Sequence, residues 1–209
     1  MSTLRRILRR RAVRRFVLAL AVFLAIGLLT AWQQWSRGAV SSQERHELQT
    51  IAYRAAQRHG VDPCLVMGVI QAESAWRAGA VGRAGEVGLM QIMPGAIADW
   101  ERVTGRDAGT RRDQFAPELN IEIGTWYLAR ALNRWEDRAQ PEVWALLQYN
   151  AGPTVATELA ATREEIELAD IPIPSTRTYI SKVTANRDRI RKAGQCQSPP
   201  PTTAPPSTP

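Results

Sequence analysis

The 209-residue sequence predicts a mainly α-helical domain. Apolar residues recur at three- and four-residue spacing in one segment after another, which is the period of a helix face. Prolines stand where those segments begin and glycines where they stop. No alternation of apolar and polar residues reaches strand length.

The elements follow in chain order. Arg5, Arg6, Arg9, Arg10, Arg11, Arg14 and Arg15 precede the uncharged run FVLALAVFLAIGLLTAW at residues 16–32. With Trp32 and Trp35 suited to an interface, residues 16–36 are expected to form a transmembrane signal-anchor, with 1–15 as a basic cytoplasmic segment and the remainder exported. A signal peptide cleaved in RGAVSS is the alternative, and in both cases the domain leaves the cytoplasm. The arginines precede the apolar run and are not interleaved with it, which argues against a helix lying on the membrane surface. They also account for the net charge of +7: removing seven of the 27 basic residues leaves 20, against 20 acidic. The exported part carries no excess positive field for nucleic acid.

SSQERHELQTIAYRAAQRHG, at 41–60, has an apolar stripe through Leu48, Ile51, Ala52, Ala55 and Ala56, with Ser41 or Ser42 as cap and Gly60 as stop. A second helix begins with Asp62 as N-cap and Pro63 at its first position. The glycine-dense AGAVGRAGEVG reads as loop. Pro94 and Gly105 bound a third helix. PELNIEIGTWYLARALNRW gives a fourth, its period running through Leu119, Ile123, Trp126, Leu128 and Leu132. Pro141 and Gly152 bound a fifth. Residues 153–175 have no clear period, and the prolines extend IPIPST. A last helix, RTYISKVTANRDRIRKAG, turns Tyr179, Ile180, Val183 and Ile190 inward. The tail at 197–209 is proline-rich and expected to be disordered. Cys64 and Cys196 lie in the exported part and suggest one disulfide, with two unpaired thiols as the alternative. His46 and His59 form no metal-ligand spacing with them, and neither a metal nor a cofactor is expected.

Chemistry enters at Glu73. On the second helix Leu65, Val66, Val69 and Ile70 form an apolar face, and the next position on it is Glu73, followed three residues later by Trp76. A surface ion pair with Arg77 is one reading. The other is a carboxyl desolvated by apolar neighbours, with a raised pKa and a proton to give near neutrality. Leu89, Met93, Tyr149 and Tyr179 each have a core alternative, and Asn150 could cap a helix end.

ESAW (73–76), GLMQIMPG (88–95), YNAGP (149–153) and TRTYISKV (176–183) together resemble the four successive motifs of the family 1 lytic transglycosylases, the SLT domain. The resemblance implies a lysozyme-like helical domain with a cleft, of the goose-type-lysozyme kind, over about residues 41–196. It implies a peptidoglycan lytic transglycosylase, which cleaves the β-1,4 bond between N-acetylmuramic acid and N-acetylglucosamine and leaves a 1,6-anhydromuramic end. It implies Glu73 as the single catalytic acid, later base, and Gly88, Leu89, Gln91, Met93, Tyr149, Asn150 and Tyr179 as substrate-binding residues. The implied partners are peptidoglycan glycan strands, with the inner membrane reached through the N-terminal segment; the implied location is the bacterial cell envelope, with the catalytic domain in the periplasm or other extracytoplasmic space. A hydrolytic muramidase on the same fold would need a second carboxylate, for which Glu86, Asp99 and Glu101 are the candidates that no motif places. A non-catalytic peptidoglycan-binding module is the other alternative. There are three departures from the family pattern: the loop offers no hydroxyl at Gly82 or Val87, Ser175 stands where a glutamate is usual, and Gln148 replaces an alanine.

Overall fold

A computed structural model describes residues 40–197. The expected membrane segment at 16–36, the basic segment before it and the proline-rich tail from 198 lie outside the described residues. Among the described residues no helix is long and apolar enough to cross a membrane.

Seven α-helices carry the fold: α1 (Ser42–His59), α2 (Pro63–Glu73), α3 (Pro94–Thr104), α4 (Pro117–Arg134), α5 (Pro141–Ala151), α6 (Pro153–Ala160) and α7 (Pro174–Lys192). All but α1 begin on a proline, whose missing N–H falls where no intrahelical partner exists. Short 3-10 turns at Asp113–Phe115 and Leu168–Asp170 punctuate the connections. Among the described residues the only β contacts are isolated bridges, Val81 with Val87 and Val87 with Ile92.

α2 is the centre of the domain. Every residue from Cys64 to Ile70 is buried, so the helix is apolar all round and enclosed by neighbours, chiefly α1 and α7. Its start is fixed three ways. The Asp62 side chain accepts from the Cys64 N–H at 2.9 Å, the same carboxylate pairs with Arg191 near the end of α7, and Cys64 is bonded to Cys196 with Cα atoms 5.2 Å apart. The open question of the two thiols is thus answered by a disulfide. At the end of α4 and in α5, Trp135 and Trp144 stack at 5.3 Å, and the Trp135 indole N–H donates to Gln148 Oε1 at 2.9 Å. That bond gives the unusual glutamine at 148, itself buried, a partner an alanine could not provide.

Two expectations are corrected. Ile123 and Leu128 are buried as expected, and with them Asn120, Ile121, Gly124 and Ala131, while Leu119, Trp126 and Leu132 are half-buried on the flanks of α4; the Arg130 guanidinium covers the Trp126 ring at 5.0 Å. The stripe counted from the largest apolar side chains is displaced because small residues and one asparagine face the core. The last helix starts at Pro174, three residues before the expected start, because that proline occupies the first helical position and does not extend the preceding strand-like segment. In the unassigned stretch 153–175, Pro153 opens α6 directly after Gly152 ends α5.

Candidate active site

Glu73 is the last residue of α2. The Ser74 N–H and hydroxyl both bond back to the Ile70 carbonyl, at 3.1 and 3.2 Å. Ala75 and Trp76 then take left-handed conformations, φ 51° and 69°, each costing about 1 kcal/mol or more for a residue with a side chain. Trp76, 1% exposed, lies against the Arg45 guanidinium at 5.6 Å, and burial of an indole offsets that cost. The turn ends the helical register at Glu73, so Arg77 is not one turn along the same face. Among the described residues Glu73 makes no ion pair, and the surface-pair reading fails.

Burial raises the Glu73 pKa, the neighbouring Tyr179 hydroxyl lowers it, and the negative charge of Glu86 raises it again, which together hold it at about 7 against the ordinary 4.5. Tyr179 comes from α7 and is buried, and its hydroxyl has no hydrogen bond of standard geometry; it interacts with the Glu73 carboxyl and favours its ionised form. Burial, and after it the Glu73 charge, push the hydroxyls of Tyr179 and Tyr149 well above the usual tyrosine range, so both remain protonated donors.

A cleft of about 780 Å³ opens beside Glu73, and Glu86, Gln91, Met93, Tyr127, Tyr149 and Asn150 are among its lining. Gln91 is itself left-handed, φ 47°, and its amide nitrogen donates to the Gly88 and Ala80 carbonyls at 2.9 and 3.2 Å. Met93 is 43% exposed and therefore belongs to the cleft wall and not to the core. The Asn150 side chain accepts from the Thr176 hydroxyl at 2.7 Å; Gly152, not Asn150, ends the helix. Gly88, Leu89 and Tyr179 do not line the cleft. Leu89 is wholly buried. Gly88 has φ 77°, and a Cβ there would stand 2.2 Å from Asn120 Nδ2, so only glycine fits this close approach.

Four functional candidates lie outside the sequence motifs. Asn120, fully buried on α4, donates from Nδ2 to the Val87 and Gln114 carbonyls, both at 2.9 Å, and accepts at Oδ1 from the Met90 N–H at 2.9 Å. It sits on an apolar helix face, as Glu73 does, and the same question put to residue 120 would have found it. Tyr127 meets Tyr149 edge-on at 5.8 Å and lines the cleft. Of the carboxylates that no motif placed, Glu86 and Asp99 line the cleft, whereas Glu101 accepts from the Ala108 N–H at 3.0 Å.

The arrangement is a largely buried carboxyl with a pKa raised to about 7 on the wall of a cleft of about 780 Å³, with amide and hydroxyl groups around it. A sequence model of the transglycosylase SLT domain matches residues 50–167. The chain is 37% identical over 92 residues to membrane-bound lytic murein transglycosylase C of Edwardsiella ictaluri, covering 43% of this chain and 26% of that one. It is 32% identical over 125 residues to the soluble lytic murein transglycosylase of Escherichia coli K12, covering 57% and 19%. The chain therefore spans about a quarter or a fifth of the length of these relatives. The crystal structure of the 70 kDa soluble lytic transglycosylase of Escherichia coli superposes with a TM-score of 0.61 at 27% identity, covering 69% of this chain and 24% of that one. That of a lytic transglycosylase from Pseudomonas aeruginosa gives 0.63 at 24% identity, covering 72% and 24%, a likeness of fold. The chain belongs to the transglycosylase SLT domain family.

Proposed function

We propose that this chain is a peptidoglycan lytic transglycosylase in which Glu73 acts first as acid and then as base. The observation that carries the proposal is a glutamate on the wall of a sugar-sized cleft whose pKa is held at about 7. A proton retained near neutrality is what protonation of a glycosidic oxygen requires. In the proposed reaction Glu73 gives its proton to the bridging oxygen between N-acetylmuramic acid and N-acetylglucosamine. The muramyl N-acetyl group stabilises the cation that develops. Glu73, now ionised, removes the proton of the C6 hydroxyl as that oxygen closes on C1, which leaves a 1,6-anhydro ring and consumes no water. Gln91, Met93, Tyr149 and Asn150 position the glycan along the groove. Gly88 and Leu89 act from beneath it, through the backbone of the loop, and Tyr179 acts on the Glu73 carboxyl.

The two curated relatives described above are named lytic murein transglycosylases, which supports peptidoglycan glycan strands as substrate. One of them is named as membrane-bound, which supports a place in the cell envelope, with residues 16–36 as anchor and the domain at 41–196 outside the cytoplasm. The disulfide accords with an oxidising compartment.

Glu86 and Asp99 on the cleft keep hydrolysis as a second reading, because water-using enzymes employ a second carboxylate. Mass spectrometry of products from purified sacculi separates the two: 1,6-anhydromuramic ends support the proposal, and reducing muramic acid ends support hydrolysis.

A further inference from the structure

The loop between α2 and α3 is folded around Gly82. A Cβ there would stand 2.1 Å from Glu86 Oε2 and 2.9 Å from Gln91 Oε1. The space that a side chain at 82 would fill is therefore taken by the Glu86 carboxylate. The loop holds that carboxylate in place: Glu86 Oε2 accepts from the Ala84 N–H at 2.9 Å, and the Gly82 N–H donates to the Glu86 carbonyl at 2.9 Å. Among the described residues Glu86 has no ion pair, and the nearby Arg111 donates to the Gly85 carbonyl, at 3.3 Å, and not to the carboxylate.

Glu86 and Glu73 line the same cleft. Besides Glu86, the side chain that acts on Glu73 is a neutral donor, Tyr179 from α7; the hydroxyl of Tyr149 from α5 is turned to the Met90 carbonyl. Farther along the groove are Tyr127 of α4 and Asp99 of α3, the latter paired with Arg102 at 2.8 Å. An unpaired negative charge facing a second carboxyl across a partly desolvated groove opposes ionisation of that carboxyl.

We infer that Glu86 is a positioning residue for the reaction, a fixed negative charge that the Gly82 loop holds beside the cleft so that Glu73 keeps its proton until the glycan is bound. The inference rests on the assignment of Glu73 as the acid. It agrees in direction with the influence of Glu86 on the Glu73 carboxyl, which is smaller than that of burial. It also gives the missing hydroxyl at Gly82 a physical reason, since a side chain there would displace the Glu86 carboxylate from its place in the loop.

The test is the pH dependence of kcat/KM on purified sacculi, measured with the full chain as wild type, Glu86→Gln, Glu86→Asp and Gly82→Ala. Loss of the charge in Glu86→Gln should move the alkaline falling limb to lower pH by roughly half a unit to one unit. Glu86→Asp, which retains the charge, should restore most of the limb. Gly82→Ala leaves Glu86 intact but pushes its flexible end aside, and should move the limb in the same direction as Glu86→Gln. A Glu86→Gln enzyme slowed equally at every pH, with the limb unmoved, overturns the inference. So does a limb that moves to higher pH in Gly82→Ala. Should the wild type release no anhydromuropeptides at any pH, the acid assignment itself fails and takes this inference with it, an outcome distinct from an active enzyme with an unmoved limb.

Discussion

The Tyr149 hydroxyl donates to the Met90 carbonyl at 2.9 Å across 59 residues of sequence. The N–H of the same residue is held from the other side by Asn120 at 2.9 Å. Met90 itself is fully buried, and its sulfur lies 3.7 Å from the Thr125 hydroxyl. Met90 is thus a buried loop residue gripped by α4 and α5, and the neighbouring Gln91 takes its place on the cleft wall from that grip.

Asn120→Ala is expected to leave the Met90 N–H and the Gln114 carbonyl without this partner, while the Val87 carbonyl keeps the Ile92 N–H at 3.0 Å. Each unsatisfied group costs about 1 kcal/mol or more, so the loss should be about 2 kcal/mol by urea unfolding. Tyr149→Phe, which frees only one carbonyl, should cost about 1 kcal/mol.

Tyr179→Phe should move the alkaline limb of kcat/KM to higher pH, the direction opposite to Glu86→Gln. The hydroxyl lowers the Glu73 pKa by favouring the ionised carboxylate, and its removal leaves burial and Glu86 unopposed. Because that hydroxyl has no other partner, stability should change by no more than about 1 kcal/mol.

The raised pKa of Glu73 also has a stability consequence. Its folded value, about 7, lies above the ordinary 4.5, so the native state binds the proton more tightly than the unfolded chain. The associated stability is fully present below pH 4.5 and is lost as pH rises to about 7. The difference is about 3 kcal/mol at most, since each unit is about 1.4 kcal/mol. Glu73→Gln should therefore match the wild type at pH 4 and exceed it by about 2 to 3 kcal/mol at pH 8, measured by urea unfolding. The same substitution should lower kcat by about a thousandfold.

Reduction of the Cys64–Cys196 bond opens a loop spanning a sequence separation of 132. The chain-entropy treatment gives a loss of about 4 to 5 kcal/mol. Chemical unfolding with and without reductant, and of Cys64→Ser, measures it.

Much of this site is legible in the sequence, for reasons particular residues make plain. Glu73 stands out because it continues an apolar stripe, and helix starts are read from Pro63, Pro94, Pro117 and Pro141. What the motifs do not reveal depends on contacts far apart in the chain. Asn120 acquires its meaning only when α4 packs beneath the loop at 87–90. Glu86 is one of several acidic residues until the backbone at Gly82 makes room for it. The inward turn of Trp76 follows from two left-handed residues without glycine, a conformation that propensity does not foresee. Leu89 carries the opposite lesson, since a residue within a functional motif is wholly buried beneath the site.

Carbon-13 NMR titration of the Glu73 carboxyl, identified by its absence in Glu73→Gln, measures the retained proton directly. A midpoint at about 7 is the predicted result. A midpoint near the ordinary 4.5 would mean that the carboxyl is ionised at neutral pH, and Glu73 could not be the acid that starts the reaction.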